Sequence, residues 1–347
     1  MYLRKIFLGI VFLGLLIGII FTYRFYYVFF ADNTNFATPT KTVYIQTGIS
    51  FDSLLIALKP IIKSSKNFTL AANKKGYINN IKAGKFRFEK GMNNNEIINI
   101  LRLYNSPIKL TFNNQERLEN LAKRVAQQIE ADSISLMNVF LEKSFLEKND
   151  FTSDNAMTMY IPNTYEFFWN TSAEKFRNIM LREYKRFWNK TRIEKAKEIN
   201  LTLQEVYILA SIVNKETSKI SERPQIAGVY LNRLKKKMKL QADPTVIYAL
   251  KKKYNNNDTI FKRVLYKDLK TQSPYNTYLN NGLPIGPITM PDISSINAVL
   301  NAAEHDYIYF VADTERIGYH LFAKTLKQHN KNKKKYTRWL NRKKLYR

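Results

Sequence analysis

The sequence predicts an α+β protein in three parts: an N-terminal transmembrane helix, a small α+β module, and a larger mixed α/β domain rich in helix. Three observations carry this. Ile6 to Phe21 holds no charge, short apolar runs at 43–45 and 85–88 read as strands, and apolar residues recur at helical spacing through much of the remainder. With 347 residues, 45% of them apolar, the chain can bury a real core. At roughly 100 to 200 residues per domain it holds two or three folded units.

The anchor comes first. A helix rises about 1.5 Å per residue and a bilayer core is about 30 Å thick, so a span needs roughly 20 residues. Residues 6–27 supply them if Arg24 snorkels. Tyr23, Phe25, Tyr26 and Tyr27 suit the interfacial belt. Arg4 and Lys5 ahead of the run put residues 1–5 in the cytoplasm and everything after the anchor on the outer or periplasmic face. A cleaved signal peptide is the competing reading, but the bulky TYRFYYVFF end lacks the small residues of a processing site. Residues 28–40 read as a linker, polar from Asp32 onward.

Residues 41–106 read as the small module. Val43 to Ile45 form a strand, and Gly48 and Ser50 introduce a helix with Phe51, Leu54, Leu55 and Leu58 on one face. Lys85 to Phe88 alternate as a strand, Gly91 turns, and Ile97, Ile98 and Leu101 mark a second helix. Residues 107–347 read as the larger domain. It opens on a strand at Pro107 to Phe112 and a helix over 116–130, followed by an aromatic turn over 160–170 and one charged amphipathic helix over 173–192. The tail from Lys327 to Arg347 has ten Lys or Arg and no acid, a solvated helix face or a polyanion contact.

Composition narrows the chemistry. Lys plus Arg is 56 and Asp plus Glu is 28, a net +28 that calls for a polyanionic partner. A domain held outside the cytoplasmic membrane does not meet nucleic acid, which leaves lipid head groups or a cell-wall polymer. No cysteine is present, so thiol nucleophiles, disulfides and thiolate zinc sites are excluded. His305, His320 and His329, all in the last fifth of the chain, make a histidine metal site improbable. Carboxylate chemistry is favoured.

The sharpest local signal is TLQEVYILASIVNKETSKISERP, from Thr202 to Pro224. Thr202 and Glu205 make a capping box. At about 100° per residue, Val206, Leu209 and Val213 share a stripe, and Glu216 falls roughly 20° from the direction of Leu209. Lys215 points away and Asn214 lies between. A half-buried carboxyl at that helix end should have a raised pKa, which a general acid needs, since an ordinary glutamate at about 4.3 would be ionised. An ion pair between Glu216 and Arg223 is the alternative.

LASIVNKETSKISERPQIAGVYLNRL, LQADPTVIYAL, SPYNTYLNNGLPIGPI and YHLFAKTLKQHN, in this order and spacing, resemble the successive motifs of the YceG-like family of endolytic murein transglycosylases. The resemblance extends over the whole chain, an anchor and a LysM-like module over 41–106 included. It implies cleavage of the β-1,4 bond from N-acetylmuramic acid to N-acetylglucosamine within glycan strands, leaving 1,6-anhydro-muramyl ends and requiring no cofactor. It places the catalytic role on Glu216. The family segment usually carries two acids, EKET, and here the first is Asn214. Substrate contact is expected from Gln241, Asp243 and Thr245, where Asp243 either meets sugar hydroxyls or caps the next helix, and from Ser273, Tyr275, Asn276 and Tyr278. Glu166 resembles a family acid or belongs to a structural turn. Gly282, Gly286 and Pro287 read as backbone devices. The expected partners are glycan strands and peptidoglycan polymerases, the penicillin-binding proteins, whose strands such an enzyme would terminate. Two rivals stand beside this reading: a muramidase with Asp243 as second carboxylate, and a noncatalytic wall-binding scaffold.

Overall fold

The computed structural model describes residues 2–254, 261 and 264–342; Lys343 and Lys344 of the basic tail lie outside the described residues. The chain forms two compact units. One comprises Met1–Leu110, Gln128–Ala131 and Tyr165–Ser172; the other comprises Thr111–Gln127, Asp132–Thr164 and Ala173–Arg347.

In the first unit, helix α1 (Tyr2–Phe29) is 28 residues long with no buried residue, long and apolar enough to cross a membrane. It runs past both ends of the expected 6–27. The expected linker is not a free joint: Asp32 and Thr34 bridge to Asn93 and Ile62, and the Asn33 side chain donates to Asn94 at 2.7 Å. Buried polar groups need partners, and these short side chains find them in the module. The module then runs β1 (Thr40–Ile45), α2 (Phe51–Leu58), α3 (Ser65–Lys74), β2 (Gly84–Glu89) and α4 (Asn94–Leu103). Strands β1 and β2 are antiparallel, from Thr40↔Glu89 to Ile45↔Gly84. Alternation puts Phe86 and Phe88 inward against Leu54, Leu58, Phe68, Ile97 and Leu101. Ser50 and Ser64 cap α2 and α3, and Asn93 with Glu96 forms a capping box on α4.

Beyond the module come β3 (Pro107–Phe112), α5 (Leu118–Ala126), α6 (Ser133–Phe140), α7 (Lys143–Lys148) and β4 (Asn163–Phe168), which pairs with β3. Two expectations are corrected here. The helix expected over 116–130 is confined to α5. The aromatic turn expected at 160–170 contains a strand, because Tyr165, Phe167 and their neighbours alternate once paired to β3.

Helices α8 (Ala173–Phe187) and α9 (Lys190–Glu198) replace the single helix expected over 173–192. The break falls where the Asn189 side chain caps Arg192. Next come α10 (Leu203–Glu216), α11 (Arg223–Lys235), α12 (Asp243–Lys253) and α13 (Ile293–Leu300). The capping box of Thr202 and Glu205 starts α10. Every residue of α10 from Val206 to Val213 is buried, and the helix packs against α9, α11, α12 and α13. A helix apolar all round belongs at the centre of its domain, so the single inward stripe read from sequence understates it. The chain closes with an antiparallel hairpin, β5 (Tyr309–Ala312) and β6 (His320–Ala323), on which α14 (Leu326–Arg342) packs.

Candidate active site

Helix α10 delivers its last three side chains in three directions, as a turn of about 100° per residue requires. Asn214 faces α13, donating to Asp292 and to the Ser295 hydroxyl, both at 3.1 Å. Lys215 pairs with Glu116 at 2.7 Å. Glu216 accepts a hydrogen bond from the Tyr230 hydroxyl of α11 at 2.6 Å. The alternative pairing of Glu216 with Arg223 is not found. Arg223 reaches both carboxylate oxygens of Asp292 at 2.7 and 2.8 Å, the same carboxylate that caps α13.

Around Glu216 opens a cleft of about 450 Å³, walled by Tyr230 and Arg233 of α11, Gln241 and Asp243, Tyr278, strand β5, and His329, Lys333 and Tyr336 of α14. Asp243 is the first residue of α12, but Ala242 is the cap position and no side-chain cap bond forms. The Asp243 carboxylate instead accepts the Tyr278 hydroxyl at 2.6 Å. The turn that presents it is strained, with Gln241 at φ 49°. It is clamped by Thr277, whose hydroxyl accepts from the Ala242 amide at 3.0 Å and bonds Thr245 Oγ1 at 2.9 Å.

Burial drives the Glu216 pKa from 4.5 up to about 7; the Tyr230 hydrogen bond opposes, the negative Asp243 adds to the rise, and Arg233 opposes. Burial also raises Tyr230 and Tyr278, so both stay protonated and donate. His329 is lowered by burial, then by Lys333 and Arg233, and faces the cleft as neutral imidazole. Among the described residues no three His, Cys, Asp or Glu gather to hold a metal.

The structure thus brings together Glu216, Gln241, Asp243 and Tyr278. The other expected contacts sit elsewhere. Thr245 and Asn276 are fully buried, so a ligand does not touch them. Thr245 locks the turn, and Asn276 donates to the Leu269 and Thr271 carbonyls while accepting from the Tyr278 amide, all at 2.9 Å. They position Asp243 and Tyr278 instead of touching substrate. Ser273 shapes its own loop by accepting from the Tyr275 amide at 3.2 Å. Tyr275 lines a different cavity of about 260 Å³ with Asp154, Tyr248 and Lys252. Glu166 is an exposed residue of β4 and is not among the residues that wall the cleft. Gly286 fits the backbone-device reading, since a Cβ there would lie 2.1 Å from the Asp154 carbonyl oxygen. Tyr230 and Arg233 were not singled out from sequence, although a quoted motif contains both, and His329 and Lys333 were read only as one of three histidines and as part of the basic tail. Tyr230 and Arg233, three apart, share a helix face, a signal that was available.

One carboxyl able to hold a proton near neutrality, set among phenols and a neutral imidazole, defines a site for acid–base chemistry on a polar substrate. The YceG-like family model matches residues 43–335, and the chain belongs to that family. It is 33% identical over 316 residues, 86% of this chain and 85% of the relative, to a Bacillus subtilis (strain 168) protein named endolytic murein transglycosylase. A Streptococcus pneumoniae serotype 2 (strain D39) protein of the same name is 38% identical over 136 residues, 39% of this chain and 24% of that one. The crystal structure of a YceG-like protein from Listeria monocytogenes matches with a TM-score of 0.56 at 29% identity, covering 85% of this chain and 99% of the other.

Proposed function

We propose that this protein is an endolytic lytic transglycosylase that cuts the bond from N-acetylmuramic acid to N-acetylglucosamine inside peptidoglycan strands and leaves 1,6-anhydro-muramyl ends. The observation that carries the reading is Glu216: its pKa is raised to about 7 and it lines a cleft beside Asp243 and Tyr278. Protonated Glu216 gives its proton to the glycosidic oxygen as that bond breaks. The resulting carboxylate accepts the proton of the muramyl C6 hydroxyl as its oxygen closes on the anomeric carbon. The nucleophile is part of the substrate, so its effective concentration is already high and a second carboxyl is not required. The Tyr230 hydroxyl fixes the Glu216 carboxyl between the two transfers, and Asp243 supplies negative charge toward the oxocarbenium-like state.

The remaining parts fit the same reading. Helix α1 anchors the protein with its N-terminus in the cytoplasm, and the β1-α2-α3-β2 module, LysM-like in its element order, grips the glycan. Held there beside polymerases of the penicillin-binding class, the enzyme terminates strands as they emerge. Mass spectrometry of products from purified sacculi tests the chemistry: anhydro ends from the wild type and none from Glu216→Gln support it. A second reading, a hydrolase, is favoured by the presence of Asp243 in the same cleft. Reducing ends in place of anhydro ends would select it.

A further inference from the structure

Helix α14 has two working faces. His329, Lys333, Tyr336 and Leu340 turn toward the Glu216 cleft. Lys331, Lys334, Lys335, Arg338 and Arg342 line a separate groove of about 590 Å³ beside Leu321. At 3.6 residues per turn the two sets are centred roughly 170° apart, on opposite sides of one helix. Among the described residues only Lys335 of the five is in an ion pair, with Glu315 at 2.7 Å.

The fold itself does not call for such a stripe. Lys331 and Lys335, Lys334 and Arg338, and Arg338 and Arg342 are like-charged neighbours one turn apart, each a repulsion that weakens the helix. An attraction between a cation and the helix C-terminus reaches only the last turn, so it accounts for Arg342 and leaves Lys331 and Lys334 unexplained. A stripe that repels itself is relieved by an anion laid along it.

We infer that this groove binds the carboxylates of the peptide side chains on the glycan strand held in the cleft. The inference rests on the proposed murein substrate. The strand is the occupant because the groove and the cleft share one helix, about 10–12 Å across, so a sugar beside Glu216 places its substituents within reach of the far face. The groove selects peptide-bearing strands over bare ones.

The test measures binding, with the full-length protein in detergent and Glu216→Gln as background, so that it does not depend on cleavage. The probes are fluorescently labelled, uncross-linked glycan strands, either carrying their peptides or stripped of them. Lys331→Gln, Lys334→Gln, Arg338→Gln and Arg342→Gln together should weaken binding of peptide-bearing strands about 16-fold, each exposed contact contributing a factor of roughly two. Stripped strands should bind as before, and the difference should shrink as salt rises. Exchanging the same four residues between Lys and Arg keeps the charge and should keep the binding, which separates charge loss from a damaged helix. Equal weakening for both strands, or no weakening for either, overturns the inference. Failure of the wild type to form anhydro ends would overturn the catalytic reading and leave this measurement standing.

Discussion

Glu116 and Glu216 are two partly buried glutamates of one unit with opposite fates. Burial raises both, but Glu116 sits between Lys215 and Lys251, at 2.7 and 2.8 Å, and they hold its pKa below the ordinary value. Glu216 has a phenol where Glu116 has two ammonium groups, and it rises to about 7. The lysine next to Glu216 in sequence is the one that Glu116 takes. The difference is set by the end of α10, which turns its cation toward Glu116 and its acid toward Tyr230.

The largest effect should therefore come from Glu216→Gln, which keeps the shape and removes the proton. Loss of a general acid costs about 10²- to 10⁴-fold, and in the proposed mechanism the same group is also the base, so the loss in kcat should reach the upper end of that range or exceed it. Glu116→Gln should leave the chemistry within about three-fold, since its carboxylate only holds lysines. Anhydro-end formation by both variants measures this, and near-normal cutting by Glu216→Gln would remove the assignment.

Next in size is the pH profile of cleavage. The proposed mechanism needs protonated Glu216, so the wild-type rate should fall as pH rises through about 7. Tyr230→Phe removes the hydrogen bond that opposes the rise, so the limb should move to higher pH. Asp243→Asn removes the charge that adds to it, so the limb should move to lower pH. The Asp243→Asn loss in rate should also be smaller than that of Glu216→Gln. A loss of equal size would favour the two-carboxylate hydrolase.

The comparison also reads out in stability, with opposite signs. Glu216 binds its proton more tightly folded than unfolded, so its contribution falls as pH rises from about 4.5 to 7 and stays low above that. Glu216→Gln should then match the wild type at pH 4 and exceed it at pH 8, by up to about 3 kcal/mol. Glu116 is the reverse: its lowered pKa supports folding above the unfolded value, and that support is lost as pH falls through the folded one. Glu116→Gln should be destabilised at pH 7 and close to the wild type in acid. Thermal melts at the two ends of the pH range check both signs.

Much of α10 was legible in the sequence because its signals are local: a capping box at one end and a fixed angle per residue to Glu216 at the other. The direction of Asp243 was not, since choosing between a cap and the cleft depends on Tyr278, 35 residues away. Thr245 and Asn276 have the same residue chemistry as true ligand contacts, and only burial shows that backbone groups and Thr277 take their bonds. Strand β4 was hidden for a similar reason, because its partner β3 lies far back in the chain. The break at Asn189 was readable, as a capping residue inside a charged helical run, and was passed over.

The smallest effect should follow Asn214→Glu, which restores the acid usual at that position in the family. Asn214 faces Asp292 and Ser295, and it is not among the residues walling the cleft. A carboxylate there gains no route to the glycosidic oxygen, so kcat should stay within about two-fold. Its effect falls on α13 instead. The amide now donates to Asp292, a carboxyl that burial would raise but that Arg223, Ser294 and the Ser295 amide hold low and charged. Replacing a donor by a second negative charge loses that hydrogen bond and adds a repulsion that Arg223 partly offsets, a net loss of about 1 kcal/mol at pH 7. Acid neutralises the new glutamate first, so the loss should fade below about pH 4. A melting temperature reduced at pH 7 and restored in acid, with unchanged cleavage, would place position 214 in the scaffold; a large change in kcat would make it part of the site.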